Sequence, residues 1–122
     1  MIKSKENSEH YTWGDNCRGW YLVKTSGLSV IEELMPPNAQ EKKHHHNNSQ
    51  QFFRILKGTA TFEIENETIE VNSGEGVHIQ AGVKHRIRND QSDNLEFIVI
   101  SAPTAQGDRF EEMDYKQQHR SS

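Results

Sequence analysis

Short segments that alternate apolar and polar residues recur through most of this chain and restrict it to a fold built from β-strands. Such alternation turns one face of an extended strand toward a core and the other toward solvent. No stretch of about ten residues or more carries apolar residues at helical spacing. The pattern predicts strands over 19–25, 27–34, 51–57, 59–65, 67–72, 76–80, 85–89 and 95–101.

Residues that favour turns separate the predicted strands. Gly58 divides two of them, and the sequences NSGEG (72–76) and QAG (80–82) mark further reversals of the chain. About eight short strands in 122 residues are typical of a sandwich, a jelly roll or a small barrel. Because a chain of this length fits one compact domain, the sequence predicts an all-β protein with a single domain.

The composition argues against several classes of protein. The net charge is −4 and the basic residues form no stripe, so the electrostatic footprint of nucleic-acid binding is missing. No apolar run approaches the roughly 18 residues of a membrane span, and the polar residues 1–10 lack the apolar centre of a secretory signal. The single cysteine, Cys17, is expected to be a small buried or half-buried residue without an internal disulfide. We therefore predict a cytoplasmic protein that binds neither nucleic acid nor membranes.

Three consecutive histidines, His44 to His46, lie in the middle of the chain, where a purification tag would not stand. On a strand, His44 and His46 point to one face and His45 to the other. Two converging imidazoles are the usual first half of a site for a divalent transition metal. The pair alone is a weak signal, and an unligated polar cluster is the alternative interpretation.

Two blocks of sequence in this region keep regular internal intervals. The first runs Asn38, five residues, His44-x-His46, four residues, Gln51, six residues, Gly58. The second runs Gly74, five residues, Gln80-x-Gly82, two residues, His85, three residues, Asn89. Together they resemble the paired signature motifs of the cupin superfamily, which carry Gly, Glu and Pro where this chain has Asn38, Gln51 and Gln80.

The resemblance implies a small antiparallel jelly-roll barrel that holds one divalent transition metal per chain, which is Fe, Mn, Ni, Zn or Cu. It implies His44, His46 and His85 as metal ligands. Gln51 is expected either to be a fourth ligand or to hydrogen-bond a bound water or substrate. A carboxamide cancels none of the charge of the metal, so this replacement of the glutamate is the departure that matters most chemically.

The resemblance also implies domain boundaries. The cupin barrel is expected to span 13–104, between a polar N-terminal arm over 1–12 and a C-terminal tail over 105–122. The tail contains the sequence Gly-Asp-Arg at 107–109, which we expect to clamp the tail or to reach a neighbouring molecule. No catalytic role follows for it from the sequence.

The resemblance implies a metalloenzyme that acts on a small polar molecule, and two chemistries compete. One is dioxygenase-like, and the other is sugar-isomerase-like, with the metal as a Lewis acid. A non-catalytic, metal-dependent binding module or sensor for a sugar or another small ligand is the alternative from a different class. A barrel that has lost its metal is the third hypothesis. No residue of the sequence identifies the catalytic group.

A few further residues receive structural interpretations. If Gln51 and Phe53 face the interior of the barrel, Phe52 and Leu56 face outward, and with only 32% apolar residues the core is small. We therefore expect a homodimer. His78 is expected to be a structural or interface residue. Aromatic residues at the start of the domain are expected to complete the core or a dimer contact; they are Trp13, Trp20 and Tyr21.

Overall fold

The computed structural model describes residues 1–112, and almost every regular element in this range is a β-strand. A single 3-10 turn, Lys5–Asn7, precedes the strands. The strands are β1 (Glu9–Trp13), β2 (Cys17–Lys24), β3 (Ser29–Met35), β4 (His44–His45), β5 (Gln50–Lys57), β6 (Thr59–Ile64), β7 (Glu67–Asn72), β8 (Gly76–Ile79), β9 (His85–Arg88), β10 (Leu95–Ala102) and β11 (Phe110–Glu111). Among these residues no helix has the length and apolar character that crossing a membrane requires.

The strands form two antiparallel sheets. One has six strands in the order β1-β2-β3-β10-β5-β8, and the other has five in the order β11-β4-β9-β6-β7. Apolar side chains from both sheets meet in one core, in which the ring of Phe53 lies 5.1 Å from that of Phe62 and 5.9 Å from that of Phe97. Two antiparallel sheets around a shared core are the architecture of a jelly roll, which confirms the predicted fold class.

Alternation along β5 is clear and decides which side chains reach the interior. Gln51, Phe53 and Ile55 are buried, whereas Phe52 and Leu56 are 38% and 43% exposed. The inward face therefore carries one polar residue, Gln51, among apolar neighbours. The outward apolar pair agrees with the predicted orientation, while the homodimer itself stays a prediction.

All eight predicted strands are present, and their ends agree with the prediction to within two residues. The pattern missed β1, β4 and β11. Strand β1 pairs only with β2 at the edge of its sheet and buries none of its residues fully, and the other two have only two residues each. Strands thus extend beyond 13–104 on both sides, into the predicted arm and tail. Residues 113–122 of the tail lie outside the described residues.

The turns between strands use left-handed backbone at the motif positions. Gly58, Gly74 and Gly82 have φ angles of 92°, 86° and 85°. Asn38, which replaces a glycine of the cupin motif, has a φ angle of 68°. Asparagine enters this region more readily than most residues, so the replacement preserves the turn that leads toward β4.

Candidate metal centre

Three histidines converge between β4 and β9. His44 on β4 is paired across the sheet with His85 on β9, and His46 follows directly after β4. One ring nitrogen of each histidine lies within 4.8 Å of the others. All three side chains are buried, at 3%, 4% and 0% exposure for His44, His46 and His85. The structure thus brings together the three histidines that the two motifs predict.

Hydrogen bonds to backbone carbonyls fix the orientation of each ring. Nδ1 of His44 lies 2.7 Å from the carbonyl oxygen of Lys42, and Nδ1 of His85 lies 2.9 Å from that of Val83. Nδ1 of His46 lies 2.5 Å from the carbonyl oxygen of Asp108. A carbonyl only accepts, so Nδ1 carries the proton in all three rings. Each Nε2 therefore keeps its lone pair, which is the form that binds a metal.

One of these lone pairs has no partner in the described part of the chain. Nε2 of His46 is buried and makes no hydrogen bond there. A buried polar atom without a partner is unfavourable, and such atoms commonly mark the place of a water or an ion. Three neutral imidazoles that present lone pairs to one point are a donor set suited to Zn, Fe, Ni, Mn or Cu. The residues therefore fit the metal that the resemblance implies.

Gln51 reaches the same point from β5. Its Oε1 atom lies 3.1 Å from Nε2 of His85, and its Nε2 atom donates a hydrogen bond to Oγ of Ser101 at 3.0 Å. The bond to Ser101 turns the amide so that its oxygen faces the histidines. All four predicted site residues are thus adjacent, with the oxygen of Gln51 beside the ring nitrogen of His85.

Burial keeps the three imidazoles neutral. Desolvation is the largest effect, and it lowers the pKa of His44 to about 3 and that of His85 to about 4. It lowers the pKa of His46 as well, against the opposing effect of the Asp108 carbonyl. The Arg109 guanidinium lowers the pKa of His44 further. The metal-binding form of the histidines is therefore the dominant one at neutral pH.

Two neighbouring cavities share part of their wall at this site. The inner cavity has a volume of about 190 Å³ and is lined by His44, His46 and Gln51 together with polar residues of β1, β3 and the C-terminal segment. The outer cavity, of about 590 Å³, lies beside it and includes Trp13, Asp15 and Glu111 in its wall. Four residues line both cavities; they are Tyr11, Glu33, Glu41 and Arg109.

Glu33 is a half-buried carboxyl group in this shared wall. The hydroxyl of Tyr11 donates a hydrogen bond of 2.9 Å to its Oε1 atom. Desolvation raises the pKa of Glu33 to about 8, although the bond from Tyr11 opposes the change. Glu41 behaves similarly, because burial raises its pKa to about 7 against the effect of Arg109. The cavity therefore holds two carboxyl groups that change protonation near neutral pH.

Arg109 enters the site from the C-terminal segment. Its guanidinium lies 3.5 Å from Nε2 of His44, 3.7 Å from Glu41 and 3.3 Å from Glu111. The preceding residue, Asp108, accepts hydrogen bonds from the loop after His46. The Gly-Asp-Arg sequence thus clamps the segment, one of the two roles expected from the sequence, and it also supplies a cation to the cavity.

Sequence reasoning missed Tyr11, Glu33, Glu41 and Arg109 as residues of the site. A usable signal existed for Glu33, because it shares a strand face with the buried residues Ser29 and Met35 of β3. A carboxylate on the buried face of a strand is expensive unless it has a function or a partner. Tyr11 lies on a strand that the pattern did not predict, so its position could not be found.

The remaining histidines and the last motif residue lie away from the ligand atoms. The ring of His45 stacks on Phe110 at 5.4 Å, and exposed His78 contacts Oε1 of Gln50 at 2.9 Å. The amide of Asn89 donates to the carbonyl oxygens of Met35 and Asp93, which fixes the loop after β9. Cys17 is fully buried, as predicted, and burial raises its pKa to about 11.

Several solved structures have a similar fold. A predicted oxalate decarboxylase from Thermotoga maritima is 16% identical, with a TM-score of 0.75 over 85% of this chain and 100% of that one. A sugar phosphate isomerase of the cupin superfamily from Silicibacter pomeroyi is 17% identical, with a TM-score of 0.73 over 85% of this chain and 76% of that one. The polyketide cyclase RemF from Streptomyces resistomycificus is 17% identical, with a TM-score of 0.71 over 85% and 81% of the two chains. At these identities the likeness concerns the fold alone.

One sequence match has a higher identity than these structures but covers only a short stretch of the chain. The uncharacterized HTH-type transcriptional regulator YdeC of Bacillus subtilis (strain 168) is 36% identical over 50 residues, which are 41% of this chain and 17% of the regulator. The match therefore concerns a small part of a longer protein. The family model of the cupin domain, in contrast, matches residues 31–101, which is more than half of the 122 residues. With the two-sheet fold and the histidine cluster already described, this match shows that the chain belongs to the cupin domain family.

Proposed function

We propose that this cupin is a metal-dependent enzyme that moves a proton on a small polar carbonyl compound. This is the isomerase-like chemistry of the two that the sequence left open. The observation that carries the proposal is the carboxyl group of Glu33, in the cavity that His44, His46 and Gln51 line. A divalent metal held by these residues would polarise a carbonyl oxygen and acidify the neighbouring C–H group.

The proposed ligands are Nε2 of His44, His46 and His85, with Oε1 of Gln51 as the fourth. Because Nδ1 of His85 holds the ring proton, neither its Nε2 nor Oε1 of Gln51 carries a hydrogen in this arrangement. Two lone-pair atoms 3.1 Å apart repel each other unless a cation lies against both. Their approach supports direct ligation by Gln51 rather than a contact through water.

Glu33 is the proposed base and acid. Its carboxylate removes the proton from the carbon beside the carbonyl and returns it to the former carbonyl carbon, while the hydroxyl proton passes to the other oxygen. Atoms balance, and no oxidant or reductant is consumed. A group whose pKa lies near the working pH serves both roles well, and that of Glu33 is about 8. Tyr11 holds the carboxyl group in place through its hydrogen bond.

The test is hydrogen–deuterium exchange in D₂O, followed by proton NMR on a panel of α-hydroxy aldehydes and ketones that includes glyceraldehyde and dihydroxyacetone. The protein is loaded in turn with Zn²⁺, Mn²⁺, Ni²⁺ and anaerobic Fe²⁺. We expect exchange at the carbon beside the carbonyl, and a loss of at least about 100-fold in Glu33→Gln. Glu32→Gln is the matched control, because Glu32 lies on the same strand and pairs with Lys5 instead. Equal exchange in Glu33→Gln and the parent, or none with any metal, would contradict the proposal.

A non-catalytic sensor is the second candidate, and the match to part of a transcriptional regulator favours it. In that case the same cavity binds a small polar ligand without turnover. A ligand that raises the melting temperature of the metal-loaded protein but shows no exchange and no product over days would identify a binding module. A ligand that is consumed would identify an enzyme.

The remaining expectations concern partners and location. The outward residues Phe52 and Leu56 on β5 support a homodimer, because exposed apolar side chains on the same face of a strand favour a contact. Sedimentation velocity of the untagged protein measures this directly. The cytoplasmic location stays a prediction from the sequence.

A further inference from the structure

We propose that Asp108 is a positioning residue of the metal centre, so that the C-terminal segment sets the orientation of one ligand, His46. The proposal rests on the metal site of the proposed function. The backbone carbonyl of Asp108 orients the ring of His46, and the carboxylate of Asp108 holds the loop between His46 and Gln51.

The carboxylate of Asp108 accepts three backbone hydrogen bonds from consecutive residues. The N–H group of Asn47 donates at 2.9 Å, that of Asn48 at 2.9 Å and that of Ser49 at 3.0 Å. These three residues connect one proposed ligand, His46, to the start of the strand that carries another. Hydrogen bonds to an ionised acceptor are stronger than those between neutral groups, and here they lower the pKa of Asp108.

His46 differs from the other two histidines in what fixes its ring. His44 and His85 each contact the carbonyl two residues earlier in their own strand region, at Lys42 and Val83. His46 instead contacts the carbonyl of Asp108, which is 62 residues away in the sequence. Two ligands are therefore oriented locally, while the third depends on a distant segment being in place.

The segment is fastened on both sides of Asp108. Before it, the hydroxyl of Ser49 donates to the carbonyl of Pro103 at 2.6 Å. After it, β11 pairs with β4, and the N–H group of Glu112 donates to the carbonyl of Lys43 at 2.8 Å. The carbonyl of Asp108 is thus held against the ring of His46 by contacts to both flanks of the histidine run.

A purely structural role for Asp108 makes a different prediction from a positioning role. A structural residue would change the free energy of unfolding and leave the affinity for metal in the folded protein unchanged. A positioning residue changes the affinity and the ring tautomer of His46 while the protein stays folded. Partners that orient a metal-bound histidine typically contribute about 10- to 100-fold in affinity.

The experiment measures Co²⁺ binding to Asp108→Asn and Asp108→Ala by competition with a chelating dye, together with the urea unfolding curve of each variant. We expect both variants to bind Co²⁺ about 10- to 100-fold more weakly than the parent. Asp90→Asn is the matched control, because Asp90 is an acid that pairs with Arg88 outside the metal cavity. Asparagine keeps the shape of the side chain, so it carries the test if the alanine variant does not fold.

A second measurement separates this proposal from the metal site itself. In metal-free protein, ¹⁵N NMR of the imidazoles should find His46 with the proton on Nδ1 in the parent and a mixture of tautomers in Asp108→Ala, with His44 and His85 unchanged. If the parent binds no metal, the proposed function fails while the tautomer still decides the role of Asp108. Parental Co²⁺ affinity in both variants, or an unchanged His46 tautomer, would overturn the positioning role.

Discussion

Gln51 decides how many protein ligands the proposed metal site would offer. The cupin motif has a glutamate at this position, and the amide reaches the cluster with the same backbone placement on β5 but without a negative charge. As a neutral fourth ligand, Gln51 would leave the full charge of a bound metal available to polarise a bound molecule. The replacement thus fits a site in which the metal acts as a Lewis acid.

Gln51→Glu should tighten metal binding by about tenfold, because a carboxylate ligand adds an attractive charge that the amide lacks. Co²⁺ affinity, measured by dye competition, checks this. Ser101→Ala is the companion variant, since it removes the hydrogen bond that turns the oxygen of Gln51 toward the histidines. An affinity of Gln51→Glu equal to that of the parent would move Gln51 out of direct contact with the metal.

The raised pKa of Glu33 also predicts how the free energy of unfolding depends on pH. Its pKa is about 8 in the folded protein and about 4.5 in an unfolded chain, so between these values the folded state binds the extra proton. The stability that this proton supplies is therefore complete below about pH 4.5 and is lost as the pH rises through 8. Metal-free Glu33→Gln should lose less stability than the parent between pH 5 and pH 8 in urea unfolding curves.

Several groups near Glu33 also affect the pH dependence of stability. Tyr11 on β1 acts on the pKa of Glu33 through its hydrogen bond, and Glu41 before β4 and Arg109 in the C-terminal segment act on it electrostatically. Glu41 contributes a similar dependence of its own, so the variant should reduce the slope without abolishing it. An identical pH dependence of stability in Glu33→Gln and the parent would mean that Glu33 ionises normally.

At the scale of elements, β1 and β2 form the wall that places Tyr11 beside Glu33. Gly19 on β2 is opposite Tyr11 in the β1–β2 pairing, and the tyrosine ring lies against its backbone. A Cβ atom on Gly19 would lie 2.3 Å from Cζ of Tyr11. The glycine thus leaves the space in which the ring lies flat and directs its hydroxyl into the cavity.

Gly19→Ala should therefore destabilise the protein by about 1–3 kcal/mol, because the ring of Tyr11 must move away from a well-packed position. It should also lower the exchange activity by withdrawing the hydrogen bond to Glu33. Gly27→Ala is the matched control, since a Cβ atom there meets nothing within 4 Å. Equal urea midpoints for the two variants would show that the ring of Tyr11 moves aside without a loss of stability.

Individual elements also show which parts of the fold can be predicted. Strands with regular alternation, such as β5 and β10, bury every second residue and were found. The alternating pattern did not predict β1, because this edge strand buries none of its residues fully. Strands β4 and β11 have only two residues each, which is too short for an alternating pattern to be detected. Spacing located the three histidines, yet the carboxyl groups beside them come from other segments that only tertiary packing brings together.

At the scale of the whole molecule, a metal held by the four proposed ligands would link β4, β5 and β9. Any ion that binds only the folded state stabilises it, by about 2.7 kcal/mol at a concentration 100 times its Kd. Zn²⁺ should accordingly raise the melting temperature of the metal-free parent, and its removal with a chelator should reverse the rise.

His45 and His46 provide a direct comparison for that prediction. His46→Ala removes a proposed ligand and should abolish the metal-dependent rise in melting temperature, while His45→Ala should keep it, because its ring faces Phe110 instead. Differential scanning calorimetry with and without Zn²⁺ measures both. A full rise in His46→Ala would show that the stabilising ion binds elsewhere.

The contact between His46 and Asp108 has a consequence for the order of events during synthesis. A ribosome makes all three histidines before it reaches Asp108, which follows His46 by 62 residues. If Asp108 has the proposed role, a nascent chain that ends between His85 and Asp108 contains all three imidazoles but lacks the carbonyl that orients His46. The centre can then be completed only after Asp108 has been translated, so that metal insertion is expected to follow the synthesis of this segment.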